Sequence, residues 1–119
     1  MVSKHKLFLL VLTIITLLSI AILWFNIQNK EYRPGVLQEY DDAVNKAQII
    51  YREKKKLGID LSSGPCLTNH LKPGWVADLV HNPRIEIDKR VENQCPVYLE
   101  GKADHFVELD LDGNVIKVR

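Results

Sequence analysis

The chain has 119 residues, a formal net charge of +1 and two cysteines. Soluble domains usually run to about 100–150 residues, and the first part of this chain is a hydrophobic run, so there is room for one domain and not for two. Acidic and basic residues nearly balance, at 15 and 16, which leaves no field to draw in nucleic acid and excludes it as a partner.

Residues 1–6 carry Lys4 and Lys6 and read as a short cytoplasmic tail. From Leu7 to Ile27 the side chains are Leu, Ile, Val, Phe, Ala and Trp, interrupted by Thr13, Thr16, Ser19 and Asn26 and by no charge. About 20 such residues in a helix cross roughly 30 Å of hydrocarbon. The hydroxyls of Thr13, Thr16 and Ser19 can bond back to carbonyls one turn earlier, and Trp24 near the far end suits the interface. A cleavable signal peptide has an apolar core of about 7–15 residues and a small-x-small exit. This run leaves through Leu23-Trp24-Phe25-Asn26-Ile27. Residues 7–27 therefore read as an uncleaved, single-pass signal anchor whose partner is the lipid bilayer. The N-terminus is expected in the cytoplasm and the remainder outside the cell membrane.

Residues 28–35 form a polar linker ending at Pro34-Gly35, and a domain is expected over 36–119. Leu37, Tyr40, Val44, Ala47, Tyr51 and Lys54 recur at three- and four-residue steps, the spacing of an amphipathic helix. Glu39, Asp41 and Asp42 occupy its early turns and Arg52, Lys54, Lys55 and Lys56 its last ones, as the macrodipole favours, and Gly58 suits its stop. The basic run reads as a solvated helix end.

Between Asp60 and Pro73 the composition is that of a loop. Trp75–His81 reads as a strand, with Trp75, Ala77 and Leu79 on one side and Val76, Asp78 and Val80 on the other, or as a short helix; the valines and the flanking Pro73-Gly74 favour the strand. Asn82-Pro83 turns the chain, Ile85 and Ile87 alternate with charges as in a short edge strand, and a helical turn or two follows through Asn93–Glu100. Phe106–Leu111 and Val115–Val118 form a hairpin across Asp112-Gly113-Asn114. Its Val107, Leu109 and Leu111 face is expected to pack on the helix. The fold class is α+β: a transmembrane helix, then one amphipathic helix on a small antiparallel sheet ending in a C-terminal β-hairpin.

Cys66 and Cys95 both stand beside prolines in turn-rich segments and, in a small exported domain, read as one disulfide. That pairing removes both as thiol nucleophiles. His70, His81 and His105 form no H-x-x-x-H pair, and no metal site or cofactor is expected. Asp110, Asp112 and Asn114 read as a turn, because an EF-hand needs Gly at its sixth place and Glu at its twelfth. The remaining cluster is Trp75, Asp78, His81 and Arg84, with His105 added from the hairpin: an indole, an acid, two bases and a guanidinium, candidates for a small anionic-ligand pocket. On a strand Asp78 and His81 point to opposite faces, which argues against an Asp-His dyad.

The layout of anchor, amphipathic helix, antiparallel strands and late disulfide resembles that of type IV pilins and pseudopilins. The resemblance is architectural. Lys6-Leu7-Phe8 stands where that family's processing motif places Gly before Phe, and no Glu precedes Glu31. It implies an assembly subunit joined through the apolar helix. The chain is also similar to small, uncharacterised membrane-anchored bacterial proteins, which implies a location and no activity. The expectation from all of this is a non-enzymatic, membrane-anchored interaction module with an envelope protein as its partner. A pilin-like subunit and a small envelope hydrolase or anionic-ligand-binding domain are the alternatives.

Overall fold

The structure is a computed structural model and describes residues 1–28, 32–35 and 37–119. It divides into two compact units: one holds the first helix, and the other is Tyr32–Arg119. Residues 29–31 of the expected linker, and Val36 at the expected domain boundary, lie outside the described residues.

Helix α1 is Lys4–Gln28, and its stretch Lys4–Ile27 is long and apolar enough to cross a membrane. At 1.5 Å per residue it is about 37 Å long. Its large apolar side chains, from Leu7 to Ile27, are exposed. The three hydroxyl interruptions are satisfied as anticipated: Thr13 Oγ1 donates to the Leu10 carbonyl at 2.8 Å, Thr16 Oγ1 to Thr13 at 2.8 Å and Ser19 Oγ to Ile15 at 2.9 Å. These three hydroxyls are satisfied within the helix itself.

In the second unit helix α2 is Gln38–Lys56. The Asp41 carboxylate ties the preceding segment to its first turn, accepting from the Tyr32 hydroxyl at 2.5 Å and from the Gly35 N–H at 3.0 Å. At the other end Gly58 and Ile59 donate to the Lys55 and Lys54 carbonyls, the paired bonds that close a helix. Four strands follow: β1 Cys66–Lys72, β2 Trp75–Val80, β3 His105–Asp110 and β4 Val115–Val118. They lie side by side in the order β1-β2-β3-β4.

The architecture is α+β. The sheet is mixed and not wholly antiparallel, because β1–β2 and β3–β4 are antiparallel hairpins while β2 and β3 run parallel. A parallel pair needs a crossover of a dozen or more residues. Residues 81–104 supply it, with 3₁₀ turns at Glu86–Lys89 and Val91–Asn93 and a short helix α3 at Pro96–Leu99. Two further expectations are corrected. Residues 66–72, read as loop, form β1, an edge strand with irregular register that pairs Cys66 with Asp78 and Lys72 with Trp75. Ile87 belongs to the 3₁₀ turn and Ile85 precedes it as its N-cap, so neither lies in an edge strand, and Ile85 and Leu99 are exposed.

The main core lies between α2 and one face of the sheet. Ala43, Ala47 and Tyr51 of the helix meet Ala77, Leu79, Val107 and Leu109 of the central strands. The strand residues are those that alternation assigns to this face, and each buried Leu or Val contributes about 1.5–3 kcal/mol. A smaller cluster of Val76, Cys95 and Ala103, with Phe106 and Val97 beside it, fills the opposite face under the crossover.

Candidate functional site

The site lies on the crossover side of the sheet. Because β2 and β3 are parallel and in register, Val76 stands beside Phe106 and Asp78 beside Glu108, each pair leaving the same face. The chain leaves β2 through His81, turns at a cis Asn82–Pro83 bond and returns Arg84 over the sheet, where its guanidinium hydrogen-bonds the Glu108 carboxylate. Glu108 is buried, and this ion pair is its compensation.

Asp88 holds that return. Its Oδ1 accepts from the His81 backbone N–H at 3.1 Å and from His81 Nδ1 at 2.9 Å, and its Oδ2 accepts from the Ile85 N–H at 2.9 Å. Burial alone pushes this carboxyl up, but the donors from Ile85 and His81 outweigh it and hold Asp88 below its ordinary range. The backbone at Gly64 comes so close that a Cβ there would stand 2.9 Å from Asp88 Oδ1.

Between the crossover and the sheet is a cleft of about 270 Å³, lined among others by Val76, Asp78, Arg84, Tyr98, Phe106 and Glu108. Tyr98 and Phe106 meet edge to face with ring centroids 5.3 Å apart. Cys95 also lines it, and the disulfide to Cys66, with an S–S distance of 2.07 Å, fixes the start of α3 to β1. Asp78 is half-buried and accepts the Leu79 N–H at 2.9 Å. Burial pushes it up to about 7; the Leu79 N–H pulls the other way, and the neighbouring Glu108 charge adds to the rise.

The five sequence candidates fall into two places. Asp78 and Arg84 meet in the cleft, and His81 adjoins it through its bond to Asp88. Trp75 and His105 lie on the α2 side, stacked with centroids 4.6 Å apart, with Tyr40 edge-on to the indole at 5.3 Å. There the Trp75 indole N–H donates to Glu39 at 3.3 Å. Asp110 closes the hairpin, its Oδ1 accepting from the Asp112 and Asn114 N–H groups. Sequence reading missed Glu108, Asp88, Tyr98 and Phe106. The available signal was the length of the segment 81–104, enough for a crossover that covers the face of β3 bearing Phe106 and Glu108.

With both cysteines joined, neither supplies a thiol nucleophile. Chemically the arrangement is a receptacle: an apolar floor, an aromatic wall and carboxylates at one end, set on a sheet and stapled at its rim. No family model, curated protein or solved structure matches the chain.

Proposed function

We propose that this chain is a membrane-anchored binding module: residues 7–27 sit in the lipid bilayer, and the disulfide-closed domain displays its cleft to a partner outside the cytoplasm. The observation that carries the reading is the pairing of an exposed apolar helix of spanning length with a domain joined by Cys66–Cys95. Disulfides persist in oxidising compartments, and small exported domains depend on them. Arg84 neutralises Glu108 and His81 is bonded to Asp88, which supports holding a ligand over turning one over.

The test is fractionation of the full-length protein followed by thiol labelling. The chain should stay with membranes through alkaline carbonate washing, and both cysteines should react with a maleimide only after reduction. A freely soluble full-length chain with two open thiols overturns the reading.

A further inference from the structure

We infer that the cleft binds an organic cation, an ammonium or guanidinium group on a short apolar stem, with the Asp78 carboxylate taking the charge and Val76, Phe106 and Tyr98 taking the stem. The inference rests on the binding-module reading and specifies its ligand.

Arg84 is taken by Glu108, Lys89 by Glu86 at 3.0 Å, and Asp88 by His81 and the Ile85 N–H. Lys117 lies over the Phe106 ring at 5.8 Å. What remains is Asp78, whose Oδ1 holds the Leu79 N–H while its Oδ2 accepts no hydrogen bond among the described residues. Beside it Glu108 uses Oε2 for Arg84 and leaves Oε1 without a partner among those residues.

Each class of ligand meets this arrangement differently. An anion meets three carboxylates in the lining, Asp78, Asp88 and Glu108, against the two cations Arg84 and Lys89, and Arg84 already gives an N–H to Glu108. A neutral apolar ligand covers Asp78 and deepens its desolvation with nothing to pair it. A cation supplies the missing partner to Asp78 and disturbs neither existing pair. The negative faces of the Tyr98 and Phe106 rings attract an ammonium or guanidinium. At about 270 Å³ the space lies below the usual range of drug-sized pockets and suits a group the size of one basic side chain.

The experiment is NMR titration of the isotope-labelled full-length protein in detergent micelles. The probes are n-butylammonium, butyrate, and an end-blocked Ala-Lys-Ala tripeptide. At pH 8 n-butylammonium should shift the amides of Val76, Asp78 and Phe106, and butyrate should leave them in place. Affinity should fall as Asp78 takes up its proton, approaching tenfold per pH unit below about 7. The charges facing Asp78 through that titration are Glu108 from β3 and Arg84 and Asp88 from the crossover. Asp78→Asn should weaken the amine at least tenfold; the pH profile of the unaltered protein gives the same answer should that variant fold poorly. Tighter binding of the tripeptide points to a lysine side chain of a protein partner, and equal binding to a free amine; both support the ammonium chemistry. Butyrate shifting the same amides, or full amine affinity in a folded Asp78→Asn, overturns the cation inference alone. Silence of the cleft to all three probes removes the binding reading of the cleft as well.

Discussion

Asp78 and Glu108 are register partners on the two parallel central strands, and their carboxyls leave the same face of the sheet side by side. Two carboxylates so placed repel each other, and the molecule gives them different company. Glu108, the more buried, receives the Arg84 guanidinium; Asp78 receives the N–H of Leu79. The result is one acid neutralised by an ion pair and one whose ionisation is opposed first by burial and then by its neighbour.

Stability should fall with rising pH on account of Asp78. Its folded value of about 7 lies above the ordinary 3.8, so the folded state binds the proton more tightly than the unfolded chain between those limits. The loss therefore begins near pH 4, grows to about 7 and is constant above it. Asp78→Asn escapes that loss. Discounted for partial exposure, its gain over the parent should be on the order of 1–2 kcal/mol at pH 8 and less than half that at pH 5. Denaturant unfolding of the full-length protein at the two pH values measures this, and an equal effect at both contradicts it.

Removing Arg84 should cost more than removing both members of its pair. The Glu108 side chain is 8% exposed and that of Arg84 is 53% exposed. Arg84→Ala therefore strands a buried carboxylate, at about 2 kcal/mol, below the 3–5 kcal/mol of a pair buried on both sides. Adding Glu108→Gln should recover most of that cost, because a buried amide needs no counter-charge. A double-mutant cycle read by chemical unfolding decides the matter, and simple additivity of the two changes rules out the coupling.

Reduction should lower the melting point sharply. Cys66 and Cys95 are separated by 29 positions, and closing a loop of that length restricts the unfolded chain by about 3.5 kcal/mol in the chain-entropy model. For a domain of this size each kcal/mol shifts the midpoint by roughly 4–8 °C, so a reductant should lower Tm by about 15–25 °C. Thermal unfolding with and without reductant checks it. A Cys66→Ala, Cys95→Ala double variant should melt near the reduced protein, and a variant melting like the oxidised form contradicts the role given to the bridge.

Periodicity made the local elements legible. The three- and four-residue steps from Tyr40 to Tyr51 mark α2, and the alternation through Trp75–Val80 marks β2 and already sets Trp75 and Asp78 on opposite faces. The Asp112-Gly113 turn marks the closing hairpin. β1 stayed hidden because its register shifts twice against β2 and its Asn69 and His70 break any alternation. Ile85 and Ile87 imitate a strand, yet the segment coils because Asp88 gathers the N–H groups of His81 and Ile85. The site was half legible for a related reason. Asp78 and Arg84 are close in sequence, whereas Glu108 joins them through parallel pairing, a relation no local pattern carries.

Gly113 is placed where no other residue fits. Its φ is +87°, and a Cβ built on it would stand 2.6 Å from Tyr51 Cε1 and 2.8 Å from Cδ1. The ring cannot retreat freely, since its hydroxyl donates to the Leu111 carbonyl at 2.7 Å and the Gln48 amide donates to the Gly113 carbonyl at 3.1 Å. Gly113→Ala therefore combines a left-handed backbone with overpacking, at about 2–4 kcal/mol together. Tyr51→Phe keeps the ring and loses only the hydroxyl's bond, at about 1 kcal/mol. Shrinking the ring by Tyr51→Leu should relieve the clash, so that Gly113→Ala costs visibly less in that background than in the parent, down to the backbone strain alone. Unfolding free energies of the four species test the hairpin's docking on α2. A Gly113→Ala cost that is unchanged by Tyr51→Leu means that the contact does not govern the turn, and that the conformational preference of glycine is the whole effect.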